Sequence, residues 1–259
     1  MTRGSLARGV ALLVIAGSAL VPISLFALLS VARNWYWPSI LPGELTLRAW
    51  SYVASGAGGI GAALATSFVI ATIVAVVSVA MAVPAARAIA LYDFRGRRLV
   101  LFSFLLPMLA PPMAAAMGLH SVFLRAGLSD SIAGVALVHL IPAVPYATLM
   151  LAGTFANFDV ECEAQARTLG APPCRVWTKV TLPSIAPGLA VAAILAFLVS
   201  WSQYVLTLLV GGGQVTTLPI LLVAFQRGGD DAVAAALAVV FVAPALILFA
   251  LTASLLEDA

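Results

Sequence analysis

FANFDVECEAQARTLGAPPCRVWTKVTLPSIAP, residues 155–187, is a polar island in a chain otherwise built of apolar runs. Asn157 or Asp159 can cap a helix start, Val160 to Leu169 follow as good helix formers, and Gly170 supplies the left-handed residue that ends such a helix. Pro172 and Pro173 suit the first turn of a second helix, which is expected to run through Arg175, Trp177 and Lys179 until Pro183 stops it. The stretch therefore predicts a helix-turn-helix elbow. It holds the chain's only lysine, three of its ten acidic residues and both cysteines, although charged residues are only 9% of the whole, and that concentration marks a docking surface. Read without any larger context, it is also an ordinary amphipathic loop in which Glu163 and Arg167 form an i, i+4 pair.

Outward from the elbow the chain is too apolar for a soluble domain: 63% of its 259 residues are hydrophobic and the mean hydropathy is +1.12. A helix needs about 20 mainly apolar residues to cross a bilayer, so the charge-free runs between Arg, Asp and Glu locate the spans. They fall at about 9–31, 62–83, 99–119, 132–153, 188–209 and 232–255. The expected fold is all-α: a polytopic membrane protein with six transmembrane helices in a single domain over residues 1–259. Six spans put both termini on one side. Nine basic residues (Arg3, Arg8, Arg87, Arg95, Arg97, Arg98, Arg167, Arg175 and Lys179) lie on the side of the termini and the elbow, against Arg33, Arg48, Arg125 and Arg227 opposite. The positive-inside rule then assigns the termini and the elbow to the cytoplasm. The net charge of +3 is this topological bias, so no nucleic-acid partner is inferred. The first apolar run is too long for a cleaved signal and is expected to stay as an anchor. Cys162 and Cys174, with eleven residues between them and no histidine near, fit neither a redox pair nor a zinc site, and no metal site is expected.

The elbow resembles the EAA loop of ATP-binding-cassette importer permeases: Glu-Ala-Ala, three residues, Gly, nine residues, then Ile-x-Leu-Pro. From Gly170 nine residues lead to Val180, Thr181, Leu182 and Pro183, so the rear spacing matches. The Glu-Ala-Ala positions fall on Ala164, Gln165 and Ala166, with Glu163 one residue early. The resemblance covers about residues 60 to 255 and implies a type I importer fold at the inner membrane, lipid around it, and a partner permease that is a similar chain or a second copy. It also implies two ATPase subunits below, which would hold the ATP and magnesium, and a solute-binding protein outside. No cofactor is expected in this chain. In the family the loop seats in a groove of the ATPase, where the Glu can pair with an Arg; the coupling set here would be Glu163, Ala164, Ala166, Arg167, Gly170, Trp177, Leu182 and Pro183. The displacement of Glu163 leaves that one contact open.

Elsewhere, Trp35, Tyr36, Trp37, Trp50 and Tyr52 predict an interfacial helix near 46–55. Span two, with small residues Ala71 and Ala75 four apart, is expected to be buried in the bundle. Pro107, Pro111 and Pro112 must kink or break span three, which makes Met108 to Met113, and Met108 among them, a pathway candidate. His139 is the one charged-type side chain set well inside a span, a functional hint or a satisfied packing residue. Ser200, Gln203, Tyr204 and Thr207 stand at i, i+3, i+4 and i+7, one polar stripe on span five beside Trp201, expected to line the pathway. Interhelical polar contacts are the competing use of the stripe.

An ATPase needs a GxxxxGK[ST] loop, and Lys179 stands between Thr178 and Val180, so no such loop exists in the sequence. The chain is thus expected to be a pore subunit rather than an enzyme. An ion-coupled secondary transporter is the competing class, and it usually needs buried acidic residues that the spans here lack. For the solute, SWSQYVLTLLVGGG (200–213) resembles a stretch of sugar permeases and of polyamine, iron and thiamine permeases. With no carboxylate facing the pathway, a neutral sugar-like solute is favoured.

Overall fold

In the computed structural model, residues 17–257 are described, except 19, 34, 36 and 37, with side chains described to residue 250. Arg3, Arg8, Tyr36, Trp37 and the first part of the first expected span lie outside the described residues. Helices dominate: α1 (Leu20–Val31), α2 (Arg48–Ala54), α3 (Ile60–Leu91), α4 (Arg97–Leu109), α5 (Pro112–Arg125) and α6 (Ile132–Ala156). They continue with α7 (Glu161–Thr168), α8 (Pro173–Val176), a π-turn (Trp177–Thr181), α9 (Leu182–Trp201), α10 (Val205–Val210), α11 (Leu218–Arg227) and α12 (Asp231–Glu257). A two-residue antiparallel ribbon, β1 (Ala32–Arg33) with β2 (Glu44–Leu45), pairs Ala32 with Leu45.

Among the described residues, four helical segments are long and apolar enough to cross a membrane: Ala57–Leu91, Ile132–Ala156, Pro173–Trp201 and Asp231–Ala250. The pair α4 and α5 makes a fifth if its two legs, bent by 102°, count as one span. With α1 at the edge of the described residues, this pattern is compatible with six spans. The bend in the third span comes where the prolines put it, since Ala110 and Pro111 are extended (ψ 134 and 123) and a residue before proline is pushed out of the helical region. Pro107, by contrast, stays inside α4.

The described residues form two compact units, to both of which α3 and α12 contribute. One unit comprises residues up to Leu64 together with Leu218–Leu246. In it the expected interfacial helix appears as α2, whose Trp50 Nε1 donates to Ser30 Oγ at 2.9 Å and whose Tyr52 ring meets Phe225 edge-on at 5.9 Å. Arg48 forks onto Asp230 at 2.7 and 3.1 Å.

The other unit, Ala65–Thr217 and the chain from Ile247, contains both candidate sites. Its centre is the packing of α6 on α9, with Val135, Val138, Ala147, Leu151 and Phe155 of α6 fully buried. Gly188 of α9 permits the close approach: a Cβ there would collide with the Thr154 side chain of α6. Within this chain α3 buries the stripe Ile70, Ala71, Val74 and Ala75 and leaves Phe68, Val69, Ile73 and Val76 exposed. Small residues let one face pack closely, while the large apolar residues on the other face suit lipid or a second chain.

Candidate functional site: the elbow and the break in the fifth span

The elbow folds largely as its sequence dictates. Asp159 Oδ1 accepts from the Glu161 amide at 2.9 Å to start α7, and Gly170, at φ 82, ends it. Leu169 at the tip is 88% exposed, next to exposed Gly170, Pro172 and Pro173. Ala164 and Arg167 are also exposed and Ala166 is half-buried. The expected stop at Pro183 is corrected: the helix passes through exposed Leu182 and Pro183 into α9 without interruption. The preceding π-turn explains this, because the Leu182 amide bonds to the Trp177 carbonyl and the donor missing at Pro183 falls where wide π hydrogen bonding gives way to α.

Glu163 does not stand out toward a partner. It is only 3% exposed, and its two carboxylate oxygens take a fork from Arg87 of α3 at 2.8 and 2.7 Å. The Thr181 hydroxyl donates to it at 2.6 Å, and Arg167 approaches at 3.4 Å. The guanidinium of Arg87 also lies 5.5 Å from the Trp177 ring centre and 6.0 Å from that of Phe155. Held by Arg87 first, against the opposing cost of burial, and then by Thr181, the Glu163 carboxyl is pulled down from its ordinary 4.5 to about 2. It is a carboxylate at any physiological pH. The sequence flagged Glu163 but counted Arg87 only as a topological charge; the pairing spans 76 positions and leaves no local signal.

The second site is the fifth span. The expected single stripe is corrected, because the helix breaks over 202–204 between α9 and α10 and no longer presents residues 200 and 207 on the same face as 203 and 204. Ser200 (4% exposed) and Thr207 (fully buried) turn inward to His139 of α6, with Nδ1 2.9 Å from Ser200 Oγ and Nε2 2.9 Å from Thr207 Oγ1. Thr207 donates its one hydroxyl hydrogen to the Gln203 carbonyl at 2.9 Å. It can therefore only accept from the ring, so Nε2 carries the proton and Nδ1 accepts from Ser200. His139 thus bridges both sides of the break, and the Thr207 bond also takes up a carbonyl freed inside it.

Gln203 and Tyr204 face a cavity of about 660 Å³, shared with Met108, Tyr146 and Ser202, among a mostly apolar lining that includes no charged side chain. Its size lies within the range of about 300–1,000 Å³ common for small-molecule sites. Met108 therefore meets two of the stripe residues, while Trp201 does not: it is 3% exposed and stacked on Phe197 with ring centres 5.7 Å apart. Among the described residues there is no cluster of His, Cys, Asp and Glu able to hold a metal. Cys162 and Cys174 are both exposed free thiols.

Comparison with known proteins agrees with this architecture. Residues 78–258 match the family described as binding-protein-dependent transport system inner membrane component. The chain is 28% identical over 203 residues to the diacetylchitobiose uptake system permease protein DasC of Streptomyces coelicolor, covering 77% of this chain and 70% of that one. It is 31% identical over 252 residues to the molybdenum transport system permease protein ModB of Mycobacterium bovis, covering 92% and 90%. In fold it superposes with TM-score 0.75, at 19% identity and over 98% of both chains, on a chain of a bacterial ABC transporter involved in the import of the acidic polysaccharide alginate.

Proposed function

The chain belongs to the family of binding-protein-dependent transport system inner membrane components and is a permease subunit of an ABC importer; we propose that the solute it conducts is sugar-like. The observation that carries this choice is the neutral cavity at the break, where Gln203, Tyr204, Tyr146 and Ser202 offer hydroxyl and amide groups and no charged side chain. Such a lining suits a polyhydroxylated neutral solute, whereas a multivalent ion entering it would lose hydration without a counter-charge. The resemblance to a diacetylchitobiose permease points the same way. A second reading, an oxyanion such as molybdate, is supported by the longer alignment to the molybdenum permease.

The chain works in a membrane with an ATPase and a binding protein as partners, as its family implies. In our reading two ATPase subunits seat against the elbow of this chain and of a second permease, similar or identical, and hold the ATP and magnesium, while this chain hydrolyses nothing. Both termini and the elbow lie in the cytoplasm, on the strength of the basic-residue bias. Closure of the ATPase pair draws the elbows together, and the attached helices open the Gln203 cavity toward the opposite side. Uptake into proteoliposomes holding the full complex and its binding protein tests the solute class. ATP-dependent accumulation of labelled diacetylchitobiose, with molybdate excluded, is expected. Accumulation of molybdate with the disaccharide excluded overturns the sugar reading.

A further inference from the structure

We propose that Arg87, Glu163 and Thr181 form an internal strut that makes the elbow and α3 move as one piece, and that Arg87 is a positioning residue for energy coupling. This rests on the permease reading above and assigns Glu163 a role within the chain in place of a contact with the ATPase. The two forked hydrogen bonds from Arg87 and the Thr181 hydroxyl occupy both carboxylate oxygens of Glu163, and the side chain is all but hidden from solvent. Through that one carboxylate, α7, the π-turn and α3 are joined; the Arg87 guanidinium adds the rings of Trp177 in the π-turn and Phe155 at the end of α6.

The strut answers a mechanical need. Leu169 and its neighbours in the four-residue turn 169–172 form the exposed tip of the elbow, which is joined to the spans through α7 on one side and the short helix α8 on the other. A push on the tip would be absorbed by bending at Gly170 and at the π-turn if nothing braced them. A bidentate Arg–carboxylate pair fixes orientation as well as distance, and the third hydrogen bond from Thr181 ties the second arm of the elbow to the first. Glu163 sits at the bracing point, one residue ahead of the position expected for an outward-facing glutamate, and half a turn of helix is not needed to see the effect: it is buried while Ala164 beside it is exposed.

The test uses the assembled complex with its ATPase subunits in lipid nanodiscs, and a reporter that requires no knowledge of the solute. In a Cys162→Ser, Cys174→Ser background, Gln203→Cys reports opening of the cavity through its rate of maleimide labelling, nucleotide-free and trapped with ATP and vanadate. The strut predicts a trapping effect of about fivefold or more in this reference complex. Arg87→Gln and Glu163→Gln should each reduce it to less than about twofold, and the double variant should be no worse than either single one. Both should retain the ATPase subunits. Thr181→Val, which removes one hydrogen bond and little volume, should give an intermediate response even if the charge variants assemble poorly. Full nucleotide response in Arg87→Gln or in Thr181→Val overturns the strut. Loss of ATPase subunits from Glu163→Gln but not from Arg87→Gln also overturns it, since Glu163 would then face the ATPase. A reference complex that never retains an ATPase subunit contradicts the permease reading itself, and is told apart because it fails before any variant is made.

Discussion

Replacing His139 by Leu probes the break in the fifth span most closely. The ring makes two hydrogen bonds of 2.9 Å, to Ser200 before the break and Thr207 after it, in a site where His139 is 1% exposed. Interhelical hydrogen bonds in membrane proteins average about 0.6 kcal/mol each, so losing both costs about 1 kcal/mol. Ser200 is left with a buried hydroxyl that can turn to its own helix, whereas Thr207 keeps its bond to the Gln203 carbonyl, so the cost should not grow far beyond about 2 kcal/mol. A double-mutant cycle separates the bridge from simple packing: unfolding of the purified protein is measured for His139→Leu, Thr207→Val and the pair, then again with Ser200→Ala. Coupling of about 0.5 kcal/mol or more is expected in both cycles. Because the bridge holds Gln203 and Tyr204 at the cavity, His139→Leu should also shift solute selectivity in complexes that assemble. Strictly additive cycles with unchanged selectivity would refute the bridge and leave His139 as filler.

Three further outcomes follow from the same geometry. Gly170→Val places a β-branched residue at φ 82, a strain of about 1–2 kcal/mol, and should abolish stimulation of the ATPase by the complex while leaving the spans folded; normal stimulation would remove the elbow from coupling. Glu163 is held at about 2 when folded, below its ordinary 4.5, so its stabilisation is complete above the ordinary carboxylate range and is lost as pH falls through about 2. Denaturation against pH should accordingly lose on the order of 2–3 kcal/mol more across that window in the parent protein than in Glu163→Gln, which keeps only the acid loss of other paired carboxylates such as Asp230; equal slopes would show that the fork is not formed in solution. Gly229→Cys should react with an impermeant thiol reagent from outside intact cells and Cys174 should not, and the reverse pattern would invert the topology.

The features legible in the sequence are those written in local chemistry. Runs without charge located α6 and α12 within about three residues at each end, but α3 runs on to Leu91 past its expected end at 83, and α9 covers Leu182–Trp201 where 188–209 is expected; Pro111–Pro112 marked the sharp bend, and Gly170 ended α7 because only glycine takes φ 82 without strain. What escaped was held by distant partners. Nothing near Ser202 breaks a helix by itself, with neither proline nor glycine from 189 to 210, and periodicity alone makes 200–207 one stripe; the break is held by a histidine 61 positions earlier. Pro183 looked like a stop because a proline removes one donor, but a π-turn ahead of it had already changed the hydrogen-bond register. Arg87 looked like a topological charge, and only the folded chain shows it closing on Glu163.

The most direct measurement is a crosslink from the elbow tip. Leu169 is 88% exposed and caps the turn between α7 and α8, so a photoreactive residue in its place reports what the elbow touches in the membrane of living cells. The permease reading predicts an adduct with a separately encoded ATPase subunit, lost when that subunit is absent. An assembled chain that gives no ATPase adduct, while position 169 is labelled by an impermeant reagent from outside, would contradict it.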